Sequence, residues 1–148
     1  MKFIFSCLIA VILWSPLALA AGSDESPSDS PWGPAMRKAL DAEDWTGAIN
    51  LLERDVAAKI ATADTHNYLG YAHRKLGKFD LAFKHYGLAL KMNPEHKGAN
   101  EYLGELHLQM GNLVKAEERL AHLDKVCFFG CEEFDDLKKA IAAYKQKS

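Results

Sequence analysis

The sequence predicts an all-α fold made of repeated pairs of antiparallel helices. Three observations lead to this: residue types recur every 34 positions, apolar residues follow helical spacing within each repeat, and glycine or proline stands where helices should end. Several residue types share the one period, which therefore reflects structure rather than composition. The recurring sets are Trp45, Phe79 and Leu113; Ala48, Ala82 and Ala116; and Leu52, Tyr86 and Leu120.

The second repeat shows the helix pair most clearly. Its first helix is predicted to end at Gly77, because glycine often adopts the left-handed conformation that terminates a helix. Its second helix is predicted to begin near Phe79 and to stop at Asn93-Pro94. We expect units at about residues 31–60, 63–94 and 97–125, within a repeat domain spanning 35–125. Small residues should let the paired helices approach closely, namely Gly70, Ala82, Gly104 and Ala116.

Unit two resembles the tetratricopeptide repeat family in its sequence motifs. The matching residues are Leu69-Gly70, Gly77, Phe79, Ala82, Tyr86, Ala89-Leu90 and Pro94, whereas the family usually has larger or aromatic residues where His66 and His73 stand. Unit three has Leu120 in place of the aromatic residue, and unit one matches well only from Trp45 to about Ile60. The resemblance implies a right-handed α-solenoid of about three units with a concave groove. It also implies a non-catalytic module that binds a peptide or protein surface in that groove.

In this family the groove is lined mainly by the first helix of each pair. The resemblance therefore implies a ligand groove formed by polar residues of those helices. Asn67, Tyr71 and Arg74 are suited to hydrogen-bond a peptide backbone or a carboxylate. Glu101 and Glu105 argue against the two-carboxylate clamp of some family members, so we expect a ligand of mixed charge. The predicted groove residues are Arg37, Asp41, Asp64, Asn67, Tyr71, Arg74, Lys75, Glu101, Glu105, Leu108 and Gln109.

The first 20 residues are predicted to be a cleavable signal peptide. A basic start, Met1-Lys2, precedes an apolar run over residues 3–13, and Ala18-Leu19-Ala20 fits a cleavage site. The apolar run precludes Cys7 as a typical lipidation site, since most of the run follows it. Residues 21–34 read as a flexible leader. We expect a periplasmic protein without stable membrane insertion after cleavage; a secreted protein and an uncleaved membrane anchor are the alternatives.

Residues 126–148 are predicted to form a cysteine-containing turn followed by a capping helix. Cys127 and Cys131 are too far apart for a disulfide within an unbroken helix, and Gly130 supplies the break. We predict a structural disulfide between a helix over 113–125 and a cap from about 131; free thiols, a redox pair and a metal site are the alternatives. The cap should bury the stripe Phe134, Leu137, Ile141 and Tyr144.

The remaining residues point to no catalytic function. A net charge of −2 argues against general nucleic-acid binding. His73 and His107 are expected to pack between helices, and the other histidines, His66, His85, His96 and His122, are expected to share no face with carboxylates. The sequence thus predicts no metal, no cofactor and no enzymatic activity, and a protein or peptide as the partner. A thiol-active envelope protein and a scaffold that self-assembles into a homo-oligomer are the alternative functions.

Overall fold

A computed structural model of the protein describes residues 33–147, and this part of the chain is entirely helical apart from short connections. The predictions of a signal peptide and of nearly all of the leader lie outside the described residues. The helices within residues 33–147 are α1 Gly33–Asp41, α2 Trp45–Ala57, α3 Ala63–Lys75, α4 Phe79–Met92, α5 Lys97–Gln109, α6 Leu113–Val126 and α7 Glu132–Lys147.

The helices pack in chain order as a solenoid of pairs. Helix α3 packs on α4 and α5 packs on α6, while α2 contacts α3 and α4 contacts α5 to join neighbouring units. Helix α7 packs on both α5 and α6. The predicted all-α fold is confirmed. Among the helices of residues 33–147, none has the length and apolar character needed to cross a bilayer.

Local sequence accounts for where the helices of unit two begin and end. Thr62 and Thr65 form a reciprocal capping box: the Thr62 N–H donates to Thr65 Oγ1 at 3.0 Å, and the Thr65 N–H donates to Thr62 Oγ1 at 3.3 Å. Gly77 follows α3 with a φ of +70°, a left-handed conformation that glycine adopts without steric cost. The predicted helix stop at Gly77 is therefore confirmed.

Two helix boundaries in unit one lie within a few residues of the predicted positions without coinciding with them. Helix α1 begins at Gly33 and includes Pro34, which were assigned to the leader; proline is tolerated in the first helical turn, where its missing N–H has no partner to lose. Helix α2 ends at Ala57 instead of near Ile60. Lys59 takes a φ of +60°, and the Ile60 N–H bonds back to the Asp55 carbonyl oxygen at 3.0 Å, which closes the helix early.

Glycines mark the closest helix contacts. A Cβ on Gly70 would lie 2.6 Å from the ring of buried Tyr86 on the partner helix α4. A Cβ on Gly104 would lie 2.6 Å from Leu137 of α7. The close approach predicted at Gly70 is thus made within a unit, whereas the one at Gly104 is made with the capping helix.

The capping helix carries the predicted apolar stripe. Leu137 and Ile141 are buried, and Phe134 and Tyr144 pack against the same core cluster. Cys127 and Cys131 are joined by a disulfide with Cα atoms 5.5 Å apart, as predicted. Helix α6 ends at Val126, Gly130 has a φ of +85°, and α7 begins immediately after Cys131. The disulfide therefore ties the start of α7 to the end of α6.

Candidate functional site

The first helices α3 and α5, together with α7, form one face that contains a cavity of about 330 Å³. We call this cavity the acidic pocket. Carboxylates from three helices reach it, because the first turns of α3 and α7 and the start of α5 meet at one end of this face. The pocket is lined by Asp64, Asn67, Tyr68, His96, Gly98, Glu101, Tyr102, Glu132, Glu133 and Asp136.

His96 holds one side of the acidic pocket. It caps α5 by accepting a hydrogen bond from the Ala99 N–H at its Nδ1, at a distance of 3.1 Å. A neutral imidazole whose Nδ1 accepts carries its proton on Nε2. The Nε2 of His96 lies 2.9 Å from Oδ1 of Asp64 and donates to it. One rim carboxylate is therefore held in place by the histidine that starts the next unit.

Glu101 is the pocket carboxyl whose pKa departs most from its usual value. Only 7% of its surface is exposed, and this burial raises its pKa to about 8. That value also includes the neighbouring carboxylates of Glu105, Asp136 and Glu133, which raise the pKa, and the Arg74 guanidinium, which lowers it. Glu101 therefore carries a proton at neutral pH, and a cation placed in the pocket would favour its ionised form.

Asn67 supplies an unused acceptor to the pocket wall. It is 4% exposed, and its Oδ1 is buried without a hydrogen-bond partner among the described residues. A buried acceptor in this state costs free energy. Gly98 keeps the space beside it, since a Cβ there would lie 3.2 Å from Nδ2 of Asn67.

Arg74 is committed to contacts within the protein. Its Nη2 lies 2.7 Å from Oε2 of Glu105, and its side chain is 7% exposed. Its guanidinium carbon lies 5.4 Å from the ring centre of Tyr71 and 5.6 Å from that of Tyr102, within the range of cation–π attraction. The ion pair joins α3 to α5, so Arg74 stabilises the floor of this face.

The predicted groove residues fall into separate groups. Asn67, Asp64 and Glu101 line the acidic pocket, whereas a smaller depression of about 220 Å³ is lined by Arg74, Glu105, Leu108, Gln109 and Ala140. Tyr71 packs on Tyr102, and Nζ of Lys75 lies over the rings of Trp45 and Tyr71. Arg37 and Asp41 are exposed on α1 and line neither cavity.

Sequence analysis did not assign the carboxylates of α7 to the groove. Glu132, Glu133 and Asp136, all near the start of α7, form one wall of the acidic pocket. A signal was present, because Leu137 lies 34 residues after Leu103 and so continues the repeat period into α7. Helix α7 thus occupies the place of the first helix of a fourth unit.

The expectation that His66, His85, His96 and His122 share no face with carboxylates is wrong for His85 and His96. His96 bonds Asp64 across the boundary between units. His85 lies with His73 beside Glu53 of the preceding helix pair, and His66 adjoins His85. Folding brings these residues together from α2, α3 and α4, which spacing along one helix could not reveal.

The tetratricopeptide repeat family model matches residues 63–96, which are helices α3 and α4 with the connection to α5. The resemblance predicted for unit two is therefore confirmed. No curated protein matches the chain.

Proposed function

We propose, from the premise that this chain is a tetratricopeptide repeat protein, that it is a non-catalytic adaptor that binds a segment of another protein on the face formed by α3, α5 and α7. Repeats of this family generally mediate protein–protein interaction. We further propose that the acidic pocket receives a lysine or arginine side chain of the partner. The sequence predicted a ligand of mixed charge. We now propose that this ligand places a basic residue in the acidic pocket.

The charge of the pocket lining is the observation that carries this proposal. Five carboxyl groups line the cavity, while the nearest arginine, Arg74, is already paired with Glu105. A cationic side chain would relieve the repulsion among these carboxylates. Tyr68 and Tyr102 also line the cavity, and their rings suit the aliphatic stem of lysine or arginine.

We propose the periplasm as the compartment. The apolar start of the sequence and its Ala18-Leu19-Ala20 site support export, and the Cys127–Cys131 disulfide fits an oxidising compartment. Release of the protein from intact cells by osmotic shock, at the mass expected for cleavage after Ala20, would support this location. Retention in the cytoplasmic fraction at full length would contradict it, and retention in the membrane would favour an uncleaved anchor.

The cysteine pair supports the adaptor better than the thiol-active alternative. Cys127 is 8% exposed and packs in the core cluster beneath α7, so an incoming thiolate has little access to its sulfur. The bridge also spans the turn that sets the direction of α7. We therefore propose a structural role for this disulfide.

A selection from a phage-displayed peptide library tests the groove and its charge preference together. The purified protein, with its disulfide intact, is compared with a Glu133→Gln/Asp136→Asn variant. Asp135→Asn/Lys139→Gln, which changes two exposed residues of α7 that do not line the cavity, is the control. Both double variants alter the same helix, but only the first changes the lining of the acidic pocket.

We expect the protein and the control variant to enrich peptides with lysine or arginine at one fixed position. The pocket variant should lose this enrichment and bind the selected peptides at least about tenfold more weakly, since it removes two of the five carboxyl groups. Enriched peptides that are acidic, or that bind the pocket variant as tightly as the protein, would contradict the proposal.

A further inference from the structure

A cluster of three histidines and a glutamate lies between α2, α3 and α4, away from the acidic pocket. Potential ligand atoms of Glu53, His73 and His85 all lie within 4.8 Å of one another. The rings of His73 and His85 stack with centres 5.4 Å apart. Nδ1 of His66 lies 3.2 Å from Nδ1 of His85, and their rings also stack. We call these four residues the histidine cluster.

Burial makes this cluster unusual. His73 and His85 are each only 6% exposed, and the buried Nδ1 of His73 has no hydrogen-bond partner among the described residues. Buried polar atoms normally have a partner, and an orphan of this kind is a sign of an ion or water that belongs there. Burial also lowers the pKa of His66, His73 and His85.

We propose that Glu53, His73 and His85 bind a divalent transition-metal ion of the zinc class. Two imidazoles and one carboxylate form a ligand set that zinc accepts, leaving a fourth position open. Glu53 is exposed, so the ion can enter from solvent along its side chain. His66 contacts His85 through their Nδ1 atoms and fixes the orientation of the His85 ring. Residues that hydrogen-bond to a metal ligand commonly have this role.

The third unit shows what the same positions look like without such a cluster. Thirty-four residues after His66 and His85 stand Asn100 and Arg119, whose side chains form a hydrogen bond of 3.2 Å. Thirty-four residues after Glu53 stands Gly87, which has no carboxylate. His107 corresponds to His73 and packs against Phe83. Packing between repeats therefore does not require histidines at the positions of His66 and His85, and His107 is a matched control for His73.

The test is a zinc titration of the purified protein, made without a polyhistidine tag, stripped of metal by a chelator and kept oxidised. The disulfide excludes Cys127 and Cys131 as ligands under these conditions. Competition with a chromophoric chelator gives the affinity and stoichiometry for Glu53→Gln, His85→Gln and His107→Gln. Glu53→Gln is the variant least able to disturb folding, because the side chain is exposed.

We expect one zinc ion per chain, bound at least about tenfold more weakly by Glu53→Gln, with a larger loss in His85→Gln and no change in His107→Gln. Cobalt in place of zinc should give the visible absorption of a four-coordinate site, and Glu53→Gln should reduce it. Absence of saturable binding would overturn the proposal and leave the cluster as neutral packing. Binding that survives Glu53→Gln unchanged, or that is lost in Glu133→Gln/Asp136→Asn instead, would overturn it as well.

Discussion

Leu137 of α7 packs over Gly104 of α5 so closely that a Cβ on the glycine would lie 2.6 Å from Cδ2 of the leucine. Leu137 is fully buried and belongs to the core cluster that also contains Leu123 and Cys127. This contact seats α7 as a further first helix beside α5. It consequently brings the acidic N-terminus of α7 to the edge of the pocket.

Gly104→Ala should lower the stability of the protein. The added methyl group would force buried Leu137 to move, and overpacking of this kind costs about 1–3 kcal/mol, only partly offset by the better helix propensity of alanine. We expect a net loss of about 1–2 kcal/mol in the free energy of unfolding, measured by urea denaturation.

Gly87→Ala is the matched control for this substitution. Gly87 is also helical, but a Cβ there would meet no atom within 4 Å, so alanine should stabilise the protein by about 0.5–1 kcal/mol. If the two variants were equally stable, the close packing of α7 on Gly104 would be refuted.

Arg74→Ala should destabilise the protein much more than Lys75→Ala. Removing Arg74 leaves Glu105 without its partner and removes a buried side chain from Tyr71 and Tyr102, which should cost about 1–3 kcal/mol. Lys75 is exposed, and its loss should cost less than about 1 kcal/mol. Thermal and urea denaturation measure both. Equal stability of the two variants would show that the Arg74–Glu105 pair does not support the fold.

Glu101 should make the stability of the protein depend on pH. Its pKa rises from 4.5 to about 8 on folding, so the folded state holds this proton more tightly than the unfolded state. The resulting stability is fully present below the unfolded pKa and is lost as pH rises from about 4.5 through about 8. Glu101→Gln removes this loss. The variant should therefore gain at least about 1 kcal/mol over the wild type between pH 5 and pH 8. A difference that stays constant with pH would contradict the raised pKa.

The same pKa also predicts how ligand affinity changes with pH. A cationic side chain in the acidic pocket favours ionised Glu101, so binding should release a proton below pH 8. A lysine-containing peptide taken from the selection should accordingly bind more tightly as pH rises from 6 to 8. The Glu101→Gln variant should show a flatter profile. Calorimetry in buffers of different ionisation enthalpy measures the released proton, and its absence would argue against a cation beside Glu101.

Loss of the Cys127–Cys131 disulfide should weaken both folding and ligand binding. A Cys127→Ser/Cys131→Ser variant cannot form the disulfide, so its unfolded chain keeps more conformational entropy. It should therefore be about 2 kcal/mol less stable than the wild type. Glu132 and Glu133 directly follow the bridge, so basic peptides should bind less tightly as well.

The exposed turn provides the control for the cysteine variant. Phe128 and Phe129 are 84% and 96% exposed, and Phe128→Ser/Phe129→Ser should change stability by less than about 0.5 kcal/mol. If loss of the disulfide left stability and peptide binding unchanged, while Cys131→Ser trapped reducible adducts with other proteins, the thiol-active function would be favoured.

The fold could be predicted from sequence because its information is local and repeated. The 34-residue period specifies which helices pair, and glycines such as Gly77 mark the ends of helices. Leu137, Ile141 and their stripe likewise identified the capping helix. Unit one was predicted less accurately, because Pro34 is compatible with both a leader and a first helical turn.

The candidate sites depend on contacts between distant segments, and these were harder to predict. Burial of Arg74 follows from the approach of Tyr102 and Glu105 on the next first helix, so the sequence could not show that its charge is already satisfied. The histidine cluster combines residues of three helices. The walls of the acidic pocket come from α3, α5 and α7, and only the fold shows that their carboxylates face one cavity.

Site-specific photo-crosslinking in the cell envelope tests whether the face of α3, α5 and α7 binds a protein partner. A photoreactive amino acid replaces Glu133 in the acidic pocket or, as the control, Lys139, an exposed residue of α7 that does not line the pocket. Products are compared with and without reductant. We expect a discrete, non-reducible adduct from position 133 and none from position 139. The substitutions Glu101→Gln/Asp136→Asn should suppress the adduct from position 133. Adducts that form equally from both positions, or only through a reducible bond to Cys131, would contradict the proposed function.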